Sequence, residues 1–146
     1  MGMYPNAWFI VAYLLFSIGW FFLGHLLSFF ALGRIVKRGE FSMAAKAAGL
    51  LTGAWVVIVG IVVAFSMMIG TTRTVGFIEV LIAGILAPLL YLIGLAWLAN
   101  RFYGLKRAYA MLAALAIGAA YLLATLILSV IVQLVFVVGF MAYMAS

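Results

Sequence analysis

The chain has 146 residues, of which 71% are hydrophobic and only 7% charged, with a formal net charge of +6 and no cysteine. A water-soluble domain of this length needs far more polar surface, so water is excluded as its main solvent. Disulfides, thiolate metal sites and a cysteine nucleophile are excluded with it. In a soluble protein the positive charge would suggest nucleic acid. Here the cations fall in the gaps between apolar runs, which marks cytoplasmic loops and points away from a nucleic-acid partner.

The first apolar run spans residues 7–32 and closes at Gly33, before the polar stretch Arg34, Lys37, Arg38, Gly39 and Glu40. The Met1–Asn6 segment has no basic n-region, and Asn6 stands where a myristoylation motif requires Ser or Thr; neither cleavage nor acylation is expected. Ser42 is the expected N-cap of a second span over residues 43–69. A turn at Gly70–Thr74 leads to a third span, residues 75–99, with Pro88 inside it. Lacking an N–H, Pro88 should kink that helix and free the Gly84 carbonyl. Residues 100–107 form the next loop, with Gly104 as its turn residue, and the last apolar run extends over residues 108–143.

These runs are continuous and much longer than the alternating strands of about ten residues in a barrel. The fold class is therefore all-α: a polytopic membrane protein built as a single domain, a four-transmembrane-helix antiparallel bundle with an over-long fourth helix. Arg34, Lys37, Arg38 and Lys46 flank the first loop and Arg101, Lys106 and Arg107 the third, whereas the second holds Arg73 alone. Seven cations against one orient the first and third loops toward the cytoplasm and both termini away from it. Tyr4 and Trp8 outside, and Trp97, Phe102, Tyr103 and Tyr109 inside, are expected in interfacial belts.

Small residues recur at helical spacing. Ala45, Gly49 and Gly53 do so in the second span; Ser17, Gly24 and Ala31, with Ser28 beside them, in the first; Ala110, Ala114 and Gly118 in the fourth. Such stripes let helix backbones approach closely where lipid supplies no hydrophobic drive. They are read as the helix-packing interface, either within one bundle or between subunits. Thr52 and Gln133 are expected to hydrogen-bond between helices.

The fourth run poses a length problem. From Ala108 to Ser146 there are 39 uncharged residues, about 58 Å as one helix, against a hydrocarbon core of about 30 Å. A bend near Gly118 or an end near Gly139 would shorten it. Otherwise Val135 to Met144 calls for cover by a neighbouring subunit, another protein or the lipid interface.

Few residues could carry chemistry. Glu79 is either a proton or cation site within the membrane or an interfacial acid near Arg73. His25, the only histidine, is either a haem- or pigment-metal ligand or a packing histidine bonded to Ser28 or a neighbouring helix. One His cannot supply two axial ligands, and the sequence requires no cofactor. No nucleotide-binding, metalloprotease or nucleophile-elbow pattern is present. The expected function is therefore non-catalytic: a membrane subunit or scaffold component packing into a larger assembly or a homo-oligomer. The alternatives are a small oligomeric channel or transporter using Glu79, Gln133 and the Pro88 kink, and an electron-transfer subunit using His25.

Overall fold

The computed structural model describes residues 5–69 and 81–146, and among these it is all-helical. Helix α1 spans Pro5–Ile35 and α2 Phe41–Ile69. A π-helical turn, Ile82–Leu86, leads directly into α3, Ala87–Tyr103, and α4 spans Arg107–Ala145. Four stretches, Trp8–Ile35, Phe41–Phe65, Gly84–Tyr103 and Arg107–Ala145, are long and apolar enough to cross a membrane. The Gly70–Thr74 turn, Arg73, Glu79 and Tyr4 lie outside the described residues.

The two described turns follow from local backbone chemistry. Helix α1 runs past Gly33, the residue expected to end it, and closes two residues later in a Schellman motif. The Arg38 N–H donates to the Gly33 carbonyl at 2.9 Å and the Lys37 N–H to the Arg34 carbonyl at 3.3 Å. Lys37 takes the left-handed conformation, φ 58°, that this cap demands, at a steric cost which glycine would avoid. Gly33 is needed for close approach instead of for capping: a Cβ there would lie 2.9 Å from Gly39 Cα and 3.0 Å from the Tyr103 ring.

Helix α2 begins at Phe41, so Ser42 sits inside its first turn and does not cap it; Met43 and Ala44 N–H groups donate to the Glu40 carbonyl. Helix α3 continues four residues beyond the expected Ala99, to Tyr103. Gly104 terminates it at φ 64°, with its N–H on the Asn100 carbonyl at 3.0 Å. Asn100 Nδ2 donates to the Leu105 carbonyl at 2.6 Å and closes the turn, after which α4 starts at Arg107. At the other end of α3, the π turn ends two residues before Pro88, whose missing N–H leaves the regular α ladder one donor short.

Packing is concentrated at the end of the bundle bearing these two turns. Helix α1 packs chiefly on α2 and α3 chiefly on α4, with smaller contacts joining α1 to α4 and α2 to α3. The core contains Phe29, Ala44, Ala47, Ala48, Leu51, Leu95, Leu98, Ala114 and Ile117. Tyr103, expected in an interfacial belt, is instead 1% exposed; it stacks on Phe29 and donates its hydroxyl proton to the Phe29 carbonyl at 2.9 Å. Arg38 Nη1 in turn donates to the Tyr103 carbonyl at 3.3 Å, tying the first turn to the end of α3.

The packing face of α2 is Ala44–Ala48 with Ala47 and Leu51, not the expected glycine stripe. Gly49 and Gly53 are exposed, and a Cβ at either would meet nothing within 4 Å. The two stripes are one residue apart, so they lie about 100° around the helix from one another. Alanine methyls on this face belong to the core cluster; bare glycines there would leave voids. Gly24 lies against the Tyr121 ring, Gly118 against Leu92 and Tyr91, and Ala110 and Ala114 are buried, whereas Ala31 is exposed.

Helix α4 is continuous through both Gly118 and Gly139, 39 residues long. Every residue from Ser129 to Ser146 is exposed, Gln133 and the Val135–Met144 stretch included.

Candidate functional site

The polar groups at the heart of the bundle come from three helices. On α1, residues 21, 25 and 29 share one face by their four-residue spacing, and all three are buried. His25 occupies the middle position and is fully buried. Its Nδ1 faces the Phe21 carbonyl at 2.6 Å, and since a carbonyl can only accept, that nitrogen carries the proton. Nε2 of the neutral ring then accepts from the Tyr91 hydroxyl of α3 at 2.5 Å. Both ring nitrogens are therefore engaged, one by the histidine's own helix and one by a residue 66 positions along the chain.

Aromatic rings enclose this pair. The Phe21 ring centroid is 4.2 Å from that of His25, and Tyr121 of α4 is 4.6 Å away on a tilted plane. Trp55 of α2 stacks on Phe21 at 5.8 Å and meets Tyr91 edge-on at 6.1 Å. Gly24 makes room for Tyr121, because a Cβ would sit 3.1 Å from that ring. One turn along α4, Thr125 accepts a bond from Trp20 Nε1 at 3.2 Å and donates to the Tyr121 carbonyl. Each of the four helices thus contributes a ring or polar group to one cluster, and no described buried side-chain nitrogen or oxygen lacks a partner.

Beside this cluster, away from the two turns, α1 and α2 part around a cavity of about 550 Å³. Leu14, Ile18, Phe21, Trp55, Val59 and Val63 supply most of its wall, and Tyr121 reaches it from α4. Ser17 and Thr52 also line it, but Ser17 donates to the Tyr13 carbonyl and Thr52 to the Ala48 carbonyl, each within its own helix. Thr52, expected to bond between helices, bonds within α2: a threonine hydroxyl can always reach the i−4 carbonyl of its own helix. The cavity therefore favours an apolar filling.

The sequence-derived candidates are not gathered in one place. His25 is central. Gln133 is exposed two helical turns beyond Thr125, and Glu79 lies outside the described residues. Ser28 donates to the Gly24 carbonyl and not to His25. Tyr91, Trp55 and Tyr121 are residues that the sequence alone does not single out, because nothing local in a run of Leu, Ile and Ala marks one tyrosine as a partner. Among the described residues, no three His, Cys, Asp or Glu side chains come together as a metal-holding group. A metal at His25 Nε2 would have to displace the Tyr91 hydroxyl. Chemically, the arrangement supplies a satisfied, buried hydrogen bond between α1 and α3 that ties the two helices together. No protein-family model, curated protein or solved structure matches this chain.

Proposed function

We propose that the protein is an integral membrane subunit that crosses the bilayer four times as an antiparallel bundle, with both termini on the non-cytoplasmic side. It acts by packing into a larger membrane assembly or a homo-oligomer, and not by catalysis. The observation that carries this reading is α4. Its most apolar stretch has a mean hydropathy of 2.7 and contains no buried residue. At 1.5 Å per residue the helix is about 58 Å long, and even a tilt of about 40° leaves a projection of about 44 Å. The hydrocarbon core covers about 30 Å of that, so about 14 Å of apolar helix extends beyond the lipid tails and calls for cover by a protein neighbour or the lipid interface.

Three further features support the reading. Residues paired between α1 and α4, Trp20 with Thr125 and Gly24 with Tyr121, run in opposite sequence order, as antiparallel neighbours do. Arg34, Lys37, Arg38, Lys46, Arg101, Lys106 and Arg107 are all exposed near the two joined turns, which suits a cytoplasmic face. His25, the one histidine, has both nitrogens engaged, Nδ1 within α1 and Nε2 by Tyr91 of α3.

The test is gentle extraction of the native protein followed by mass spectrometry of whatever remains attached, in parallel with a chain truncated after Leu128. The full chain should retain protein partners or further copies of itself, and the truncated chain should lose them while keeping its thermal stability. A full-length chain recovered as a stable monomer free of protein would sink the proposal.

A further inference from the structure

Every formal charge in excess of neutrality sits at one end of the molecule. Seven Lys and Arg side chains against Glu40 give +6, which equals the net charge of the whole chain because Arg73 and Glu79 offset one another. Cytoplasmic loops collect cations for topological reasons alone, and that requirement is met wherever in each loop the cations fall. The fold does something further. It brings the α1–α2 and α3–α4 turns together through the Arg38 bond to the Tyr103 carbonyl, the Tyr103 bond to the Phe29 carbonyl and the close approach of the Tyr103 ring to Gly33. A side chain at Gly104 would also meet the Arg38 guanidinium.

Both turns are short and pinned at their helix ends, Lys37 in the left-handed region and Gly104 likewise. The cations on them are consequently held on a fixed scaffold. Arg34, whose guanidinium carbon lies 5.4 Å from the Phe30 ring centroid, is further restrained by that ring. Arg101, Lys106 and Arg107 are exposed on the neighbouring turn, and Glu40 is the single acid among the described residues.

We infer that this end of the bundle is a binding face for the headgroups of anionic phospholipids, recognised by net negative charge on the phosphate-bearing group. The inference rests on the reading of the protein as membrane-embedded, which places these cations at headgroup depth immediately beyond four apolar helices. Charge complementarity favours the lipid, since the same helices that carry the cations offer an apolar surface for the acyl chains. A polybasic cluster next to a membrane span attracts anionic lipid with a contribution of about fivefold in affinity per cation at low salt.

The experiment is reconstitution into vesicles of phosphatidylcholine mixed with phosphatidylglycerol, followed by flotation, extraction and native mass spectrometry of the lipids retained. Phosphatidylglycerol should be enriched on the protein over phosphatidylcholine. The enrichment should fall by more than tenfold in R101Q/K106Q/R107Q, three exposed positions outside the core. Raising the salt on the unaltered chain should weaken the enrichment progressively, which decides the matter even where the triple variant misfolds. Equal retention of the two lipids by a floated protein would overturn the inference, as would full displacement of phosphatidylglycerol by inorganic phosphate at matched ionic strength. A chain that fails to float with the vesicles would instead refute the membrane reading on which the inference stands.

Discussion

The Tyr91 hydroxyl donates to His25 Nε2 at 2.5 Å, linking α3 to α1 inside the bundle. The geometry makes the pair asymmetric. His25 retains its Phe21 bond whatever happens to Tyr91, whereas its Nε2 has no other partner in a ring of Phe21, Tyr121 and Tyr91.

Tyr91→Phe should therefore leave a buried acceptor unsatisfied and destabilise the protein by about 1–2 kcal/mol. His25→Leu should cost less in combination with Tyr91→Phe than the two single changes summed. Thermal unfolding of the four proteins in one detergent gives the coupling, and strict additivity would show that the bond contributes nothing.

Glycines at two places should respond in opposite ways. Gly33→Ala puts a methyl against Gly39 backbone and the Tyr103 ring, both fixed, and should destabilise by several kcal/mol, about 2 or more. Gly49→Ala and Gly53→Ala enter open space and should leave the monomer unchanged or stabilise it by up to about 1 kcal/mol each. If Gly49 and Gly53 lie against another subunit, the same changes weaken association without lowering monomer stability. Unfolding midpoints and oligomer mass, measured side by side, separate these outcomes.

Lys37→Gly should stabilise the α1–α2 turn by about 1 kcal/mol, since the left-handed backbone is strained for lysine and free for glycine. Lys37→Val should destabilise it, because a β-branched side chain tolerates that conformation worst. A lower unfolding midpoint for the glycine variant would mean that the turn is not shaped by its cap.

Tyr103→Phe keeps the stack on Phe29 and removes only the hydroxyl bond to the Phe29 carbonyl. The expected loss is about 1 kcal/mol, and hydrogen exchange should quicken at the end of α1 and at the α3–α4 turn. Tyr103→Ala removes the ring as well and should cost at least about 3 kcal/mol. Similar losses for the two variants would contradict a ring packed in the core.

How much of this was legible beforehand differs from one feature to the next. The number and approximate extent of the apolar helices, the left-handed turn at Gly104 and the extreme length of α4 follow from composition over short windows and from one residue's conformational freedom. Those are local properties, and local properties can be read along a chain. Gly33 misled because glycine both ends helices and permits close approach, and only the position of Gly39 and Tyr103 tells which role applies. Gly49 and Gly53 do not pack within the bundle, a related case: a small-residue stripe marks a face able to pack, without saying against what.

In a soluble helix, polar residues would have marked the outward face and the remainder would have pointed to the core. Here both faces are apolar, so periodicity leaves the orientation of each helix undetermined. The tertiary structure settled it by fit: the alanine face of α2 in the core, Tyr103 on Phe29, and a tyrosine of α3 supplying the one donor that the histidine of α1 lacked.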